Sequence, residues 1–152
     1  MSDKQLHKLG IDIGSTTVKI AILDSQDNIL FSDYERHFAN IQETLADLLE
    51  KAEKQLGEMT LCPVITGSGG LTLANHLEIP FVQEVIAVST SLQKMAPQTD
   101  VAIELGGEDA KMTFFDGAGF TAFANEADDD LLGSWINLNL KQQEPKKRTP
   151  NQ

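Results

Sequence analysis

The sequence is poor in cysteine, in basic residues and in long apolar runs, and each shortage excludes a class of protein. Cys62 is the single cysteine, so no disulfide forms within the chain and a reducing, cytoplasmic location is expected. The 12 basic residues against 23 acidic ones give a net charge of −11, which argues against a nucleic-acid partner. No apolar run approaches the ~18 residues that span a bilayer, and no signal-peptide core is visible, so no membrane partner is expected.

A glycine break interrupts two strand-like runs in IDIGSTTVKIAILD (11–24). The flanking runs are rich in Ile, Val and Thr and are typical of buried β-strands, which glycine and small hydroxyl residues weaken. The break therefore needs either a structural reason or a ligand.

The same pattern returns 92 residues later, in IELGGEDAKMTFFD (103–116). When the two stretches are aligned without a gap, Asp12 faces Glu104 and apolar positions face apolar ones. Each copy holds an acid near the end of a strand, a glycine turn, and a lysine on the next strand. The identical pairs are Ile11 and Ile103, Gly14 and Gly106, Lys19 and Lys111, and Asp24 and Asp116.

This pattern is suited to a phosphate chain with Mg²⁺. A glycine turn brings backbone N–H groups close to an anion because no Cβ blocks the approach, and the hydroxyls of residues 15–17 add donors. The carboxylate of Asp12 suits Mg²⁺ or its bound waters, while Lys19 or Lys111 offsets phosphate charge. Two such hairpins that face each other would hold a triphosphate between them.

Other glycine-rich loops fit less well. A Walker loop needs GxxxxGK[ST], which is missing, and a dinucleotide-binding fold needs glycines that open a helix, whereas TTVKIAIL (16–23) follows here. TGSGGLTLA (66–74) lies between a strand and a helix but lacks the GxGxxG spacing. Ordinary hairpin turns are the alternative for either copy alone. The matched acids and lysines of the two copies favour phosphate binding.

The remaining pattern predicts an α/β fold with a mixed sheet. A three-strand meander comes first, followed by a helix from the cap Asn40 to Gly57. Next come a strand with the sequence CPVIT, a helix to Leu77, a short strand PFVQEV and a helix to Pro97. The strand–glycine–strand pattern then repeats and is followed by a weak strand, FTAFA. The predicted organisation is a first subdomain at 8–97, the truncated start of a second one at 98–125, and a diverged, largely disordered tail at 126–152.

Two motifs together resemble a known superfamily. GIDIGSTTVK (10–19) and IELGGEDAK (103–111) resemble the first and second phosphate motifs of the actin, hexokinase and heat-shock-chaperone ATPases. More closely, the stretch from about Lys8 to Phe115 resembles the activators of 2-hydroxyacyl-CoA dehydratases and benzoyl-CoA reductases, through DYERHFANIQETLADLLEKA, PVITGSGGLTLA and IPFVQEVIAVSTSLQ. The resemblance implies a ribonuclease-H-like (actin-like ATPase) fold, in which ATP hydrolysis drives an electron from a [4Fe–4S] cluster into the dehydratase or reductase.

The resemblance also implies roles for single residues. Asp12 would hold the hydration shell of Mg²⁺, and Glu104 takes the corresponding position in the second motif, where the superfamily more often has Asp. Both are implied as metal-binding and catalytic residues. ATP or ADP with Mg²⁺ is the implied cofactor, and a CoA-ester dehydratase or reductase is the implied partner, with a homodimer or a completing chain as a further option. Phosphate contacts are implied for Gly14, Ser15, Thr16, Thr17, Lys19, Gly106, Gly107, Asp109 and Lys111.

The sequence departs from this family after the second motif. The segment FFDGAGFTAFANEADDD (114–130) contains no cysteine, although the family has a cluster ligand there. Cys62 lies far from that position, and we expect it to be a small buried core residue. The later part of the second subdomain, which supplies the adenosine pocket in this fold, is also missing. We therefore expect the front part of an activator, with residual Mg-nucleotide phosphate contacts and no cluster.

Two other functions stay open. A sugar- or acetate-type kinase of the same superfamily would also carry DIGSTTVK, although no acceptor-sugar motif is visible. A non-catalytic fragment, or a half that needs a partner chain, is the second alternative. His7, His37 and His76 show no ligand spacing and are expected at the surface or in turns, and an amphipathic helix is expected around Trp135.

Overall fold

The computed structural model describes residues 5–105, 110–115 and 120–125. The chain divides into two units, which we call unit 1 and unit 2, at the junction between Thr90 and Ser91. The elements, in chain order, are β1 (Leu6–Ile13), β2 (Thr17–Leu23), β3 (Ile29–Arg36), α1 (Ile41–Leu56), β4 (Thr60–Thr66), α2 (Leu71–Leu77), α3 (Glu84–Met95), β5 (Val101–Leu105), β6 (Ala110–Phe115) and β7 (Phe120–Asn125).

Unit 1 is built on a four-stranded mixed sheet in the order β3-β2-β1-β4. The predicted meander is confirmed, because β1, β2 and β3 pair antiparallel in sequence order, and β4 then joins β1 in parallel. Every second residue is buried in β2 and, from Leu9 onward, in β1, since side chains alternate between the two faces of a strand. The buried apolar residues of these two strands are Leu9, Ile11, Ile13, Val18, Ile20 and Ile22.

Helix α1 covers this apolar face of the sheet. Its buried residues Leu45, Leu48 and Ala52 belong to the same core cluster as the buried residues of β1 and β2. Full burial of each such leucine or isoleucine contributes about 1.5–3 kcal/mol, so this layer holds β1, and with it Asp12, in place. The predicted ends are confirmed, because Asn40 and Gly57 take the two cap positions, although the Asn40 side chain makes no capping hydrogen bond.

Two expectations for unit 1 are wrong. The segment 80–85 is not a strand, since only Phe81 bridges to Ile65 and the helix α3 already begins at Glu84. Cys62 is exposed rather than buried. It lies on β4, an edge strand, where it pairs with the exposed Lys8 on the outer face of the sheet. Both errors involve β4, because the pairing of segment 80–85 and the exposure of Cys62 both depend on which segments lie beside that strand.

The polar turn between β2 and β3 is held by one carboxylate. Asp24 accepts hydrogen bonds from the backbone N–H groups of Gln26 at 2.8 Å and Asn28 at 2.9 Å, and from the Asn28 amide at 3.0 Å. The Asn28 side chain is the main cause that lowers the pKa of Asp24. The turn therefore carries an ionised acid that fixes the start of β3.

The turn between β3 and α1 is strained. Phe38 and Ala39 have φ values of 45° and 68°, in the left-handed region that costs a residue other than glycine about 1–2 kcal/mol. The Asn40 N–H closes the turn on the His37 carbonyl at 2.7 Å. On the exposed side of the turn, the Arg36 guanidinium lies 5.4 Å from the centre of the Phe38 ring.

Replacing Ala39 with glycine is expected to raise the free energy of unfolding by up to about 1 kcal/mol, because glycine adopts positive φ without steric strain. The matched control is Ala46→Gly in the middle of α1, at an exposed position. There glycine should lower stability by about 1 kcal/mol. Urea unfolding followed by circular dichroism measures both, and a loss of stability in both variants would contradict the strain at Ala39.

Unit 2 contains a three-stranded antiparallel sheet in the order β5-β6-β7. The turns 106–109 and 116–119 and the segment 126–152, with the helix expected around Trp135, lie outside the described residues. The subdomain boundaries 8–97, 98–125 and 126–152 stay predictions. Among the described residues, no helix combines the length and apolarity needed to cross a bilayer.

Candidate functional site

The two glycine hairpins share one register. In unit 1 Asp12 of β1 pairs with Lys19 of β2, and in unit 2 Glu104 of β5 pairs with Lys111 of β6. Cross-strand partners lie on the same face of a sheet, so each hairpin presents its acid and its lysine side by side. The repeat predicted from the sequence is therefore also a repeat of strand pairing.

In the first hairpin, the acid and the lysine form a loose pair. Lys19 Nζ lies 3.7 Å from Asp12 Oδ2, and the two side chains are 58% and 34% exposed. Exposed pairs of this kind contribute little to stability, because solvent screens the attraction. Lys19 can therefore turn toward another anion without loss to the fold.

The turn between these strands is short and closed by one hydrogen bond. The Gly14 N–H donates to the Thr17 carbonyl at 2.9 Å, which leaves Ser15 exposed at the tip and Thr16 half-buried. A Cβ built on Gly14 would meet only Thr17, at 3.6 Å from its carbonyl oxygen and 3.8 Å from Oγ1, which are ordinary contacts. The described packing thus has no need of glycine at position 14, and this favours a ligand as the reason for the break.

A second glycine loop packs against the end of β1. It comprises residues 67–70, between β4 and α2, and begins where Thr66 pairs with Asp12. The Gly69 N–H donates to the Ile13 carbonyl at 2.9 Å. Gly67 has a φ of +100°, and a Cβ on it would lie 2.3 Å from the Ile13 oxygen and 2.6 Å from Asp12 Oδ1. The sequence indicated this loop through its run of glycines and through the resemblance of PVITGSGGLTLA, and its close contact with Asp12 is a finding of the structure.

His37 is the functional candidate that sequence reasoning missed. It is only 8% exposed, so the expected surface position is wrong, whereas the alternative expectation of a turn is confirmed, because the Asn40 N–H closes a turn on the His37 carbonyl. Its Nε2 lies 3.0 Å from the Gly14 carbonyl oxygen, and its Nδ1 accepts the Ala39 N–H at 3.0 Å. Its own backbone N–H donates to the Thr16 carbonyl at 3.1 Å. No motif spacing signals these contacts, since 23 residues separate His37 from Gly14.

The residues of the second motif are only partly described. Glu104 is half-buried on β5, and Lys111 is half-buried on β6. Gly106, Gly107 and Asp109 lie outside the described residues. A clamp formed by both hairpins on one triphosphate therefore stays a prediction, and the site described here is the one in unit 1.

The mixed sheet, its covering helix and the repeated glycine hairpin define an actin-like ATPase fold. No protein-family model and no curated protein matches the sequence. Among solved structures, component A of the (R)-2-hydroxyglutaryl-CoA dehydratase of Acidaminococcus fermentans matches 80% of this chain with a TM-score of 0.64 and 20% identity. The activator of the 2-hydroxyisocaproyl-CoA dehydratase from Clostridium difficile, solved with bound ADPNP, matches 79% with a TM-score of 0.64 and 25% identity.

A third solved structure shares the fold but is described by a different role. The ethanolamine utilization protein EutJ from Carboxydothermus hydrogenoformans matches 86% of this chain with a TM-score of 0.61 and 14% identity, and the match covers 57% of that protein. The matches to the two dehydratase activators cover 47% and 45% of their length. This chain therefore spans about half the length of the activators it resembles.

Proposed function

We propose that this chain is the N-terminal portion of an ATP-dependent activator that drives electron transfer to a 2-hydroxyacyl-CoA dehydratase or a related reductase. The observation that carries the proposal is the hairpin of β1 and β2. Its turn places an acid, a glycine without a packing role, hydroxyl groups and a loosely held lysine next to each other. The likeness to an activator solved with ADPNP supports the nucleotide as ligand.

The residues of this hairpin fit Mg-ATP. Gly14 has no Cβ, and the space that a Cβ would fill is open, so a phosphate can approach the backbone there. The hydroxyls of Ser15 and Thr16 donate to phosphate oxygens, and Lys19 offsets their charge. Mg²⁺ prefers one or two carboxylates together with water and phosphate oxygens, which suits the single carboxylate of Asp12. When bound, Mg-ATP supplies the phosphoanhydride whose hydrolysis drives the activator.

A [4Fe–4S] cluster does not fit this chain. Such a cluster needs four thiolates, and the sequence contains one cysteine, on the outer face of β4. We therefore assign no electron-transfer step to the residues present. The proposed partners are the nucleotide and a CoA-ester dehydratase or reductase, and the proposed location is the cytoplasm, as the low cysteine content favours.

Titration of the ¹⁵N-labelled chain with Mg-ATP, followed by NMR, tests this proposal. The amide signals of residues 12–19 should shift in a saturable way, with Mg-tripolyphosphate producing the same shifts and adenosine none. Weak binding is expected, because only phosphate contacts are assigned to this hairpin. A chain that is folded but shows no shift at residues 12–19 at millimolar Mg-ATP would contradict the proposal. Phosphorylation of a small acceptor would favour the kinase alternative instead.

Gly14→Ala gives the matched variant for this titration. The new Cβ makes only ordinary contacts within the chain, so the urea midpoint should stay close to that of the wild type. The same Cβ stands where the phosphate is expected, so the affinity for Mg-ATP should fall about tenfold or more, the effect of losing 1–2 hydrogen bonds. Unchanged affinity in a normally folded Gly14→Ala variant would exclude Gly14 as a phosphate contact.

A further inference from the structure

We propose that His37 is a positioning residue for the turn of the first hairpin. Its ring holds the Gly14 carbonyl, so that the backbone N–H groups of the turn are presented to phosphate. This role rests on the proposed function, because it concerns the same nucleotide site. His37 itself is placed under the turn and is assigned no contact with the ligand.

The hydrogen bonds of the ring define its protonation. A backbone N–H can only donate, so the bond from Ala39 requires Nδ1 of His37 to be the unprotonated, accepting nitrogen. In the neutral ring the proton then belongs to Nε2, which donates it to the Gly14 carbonyl 3.0 Å away. The network therefore selects one tautomer, and that tautomer is the one able to hold the turn.

His37 holds the turn at two carbonyls. The ring binds the Gly14 oxygen, and the backbone N–H binds the Thr16 oxygen at 3.1 Å. In a planar trans peptide the C=O and the following N–H point in opposite directions, so the N–H groups of Ser15 and Thr17 face away from His37. Carbonyl oxygens repel phosphate, whereas N–H groups attract it. The contacts with His37 thus point the carbonyls of Gly14 and Thr16 toward His37 and the N–H groups of Ser15 and Thr17 away from it.

The backbone that follows His37 is strained, and this strained turn places the His37 ring. The turn that follows His37 has positive φ at both Phe38 and Ala39, and neither residue is glycine. Such strain persists only where the surroundings over-determine the conformation, and it is frequent at functional sites. Here the N–H groups of Ala39 and Asn40 both donate to His37, one to Nδ1 and one to the carbonyl oxygen. The strained turn therefore fixes the orientation of the ring.

Two amide substitutions separate the two ring contacts. The carbonyl of asparagine lies close to the Nδ1 position of histidine, so His37→Asn keeps an acceptor for Ala39 but loses the donor to Gly14. The amide NH₂ of glutamine reaches the Nε2 position, so His37→Gln keeps the donor to Gly14. Both variants remove the aromatic ring, and asparagine leaves the larger void, so a purely structural role would make the loss of affinity in each variant follow its loss of stability.

The test measures Mg-ATP affinity and amide hydrogen exchange in the wild type, His37→Asn and His37→Gln. We expect His37→Asn to weaken Mg-ATP binding about fivefold, the value of one neutral hydrogen bond, and to speed exchange of the Gly14 N–H by a similar factor. His37→Gln should stay within about twofold of the wild type in both measurements. Comparing each variant's affinity with its own urea midpoint separates positioning from general stability.

Each outcome decides a different statement. If all three proteins bind Mg-ATP equally and exchange the Gly14 N–H at the same rate, the role of His37 is overturned and the proposed function stands. If the wild type does not bind Mg-ATP, the proposed function fails. Exchange at Gly14 then decides alone whether His37 positions the turn. Losses of affinity in the Asn and Gln variants that follow their urea midpoints would reduce His37 to a packing residue.

Discussion

Gly67→Ala is expected to destabilise unit 1 by about 3–5 kcal/mol, the largest loss for a methyl group added to any glycine in the part of the chain that the structure describes. Two costs combine at this position. The φ of +100° is unfavourable for alanine, and the new Cβ would lie 2.3 Å from the backbone oxygen of Ile13. Backbone of a central strand cannot move aside as the end of a flexible side chain can. Urea unfolding of the full chain, read from NMR signals of unit 1, measures the loss.

Gly57→Ala provides the control for this prediction. Gly57 also has a positive φ, of +84°, but a Cβ there meets nothing within 4 Å. With ψ at −175° it occupies a region that is essentially restricted to glycine, so it should show the conformational cost alone, about 1–3 kcal/mol. The difference between the two variants isolates the contact of the second glycine loop with β1. Equal losses in the two variants would show that this loop does not press on the end of β1.

Much of unit 1 was predictable because its signals are local. The alternating pattern of β1 and β2 gives their faces, and the short turn between them sets their register, which pairs the predicted acid Asp12 with the predicted lysine Lys19. The helix α1 carries its cap positions in the sequence, at Asn40 and Gly57. The 92-residue repeat extended the same reasoning to the hairpin of β5 and β6, and the register of Glu104 with Lys111 confirms it.

The parts that were not predictable depend on contacts between distant segments. His37 is buried because β3 pairs with β2 and brings it under the turn at Gly14, and the sequence around His37 contains no trace of that neighbour. Cys62 is exposed because β4 becomes an edge strand, which depends on the order of strands rather than on local hydrophobicity. Sequence reasoning thus predicted the hairpin with its acid and its lysine, whose contacts with a ligand stay predictions. It missed His37, whose ring contacts the Gly14 carbonyl of the turn.

The second large effect is expected for Ile13→Ala, which should cost about 3–4 kcal/mol. Ile13 is fully buried at the end of β1, between Asp12 and Gly14, and its truncation leaves a cavity beside Gly69 of the second glycine loop. Ile13→Val removes a single methylene group and should cost only about 1 kcal/mol. Because the cavity adjoins the turn, the Ala variant should also speed amide exchange at Gly14, whereas the Val variant should leave that exchange nearly unchanged.

A double-mutant cycle with Gly69→Ala tests whether this cavity lies under the second loop. A Cβ on Gly69 would approach Ile13 Cγ2 to 3.1 Å, which is tighter than an ordinary contact, so Gly69→Ala alone should be destabilising. Ile13→Ala removes Cγ2 and makes room for that Cβ. The double variant should therefore be more stable than the sum of the single effects predicts, by about 0.5–1 kcal/mol. Strict additivity would mean that position 69 and the Ile13 side chain do not interact, and the close packing of the second loop on Ile13 would then be refuted.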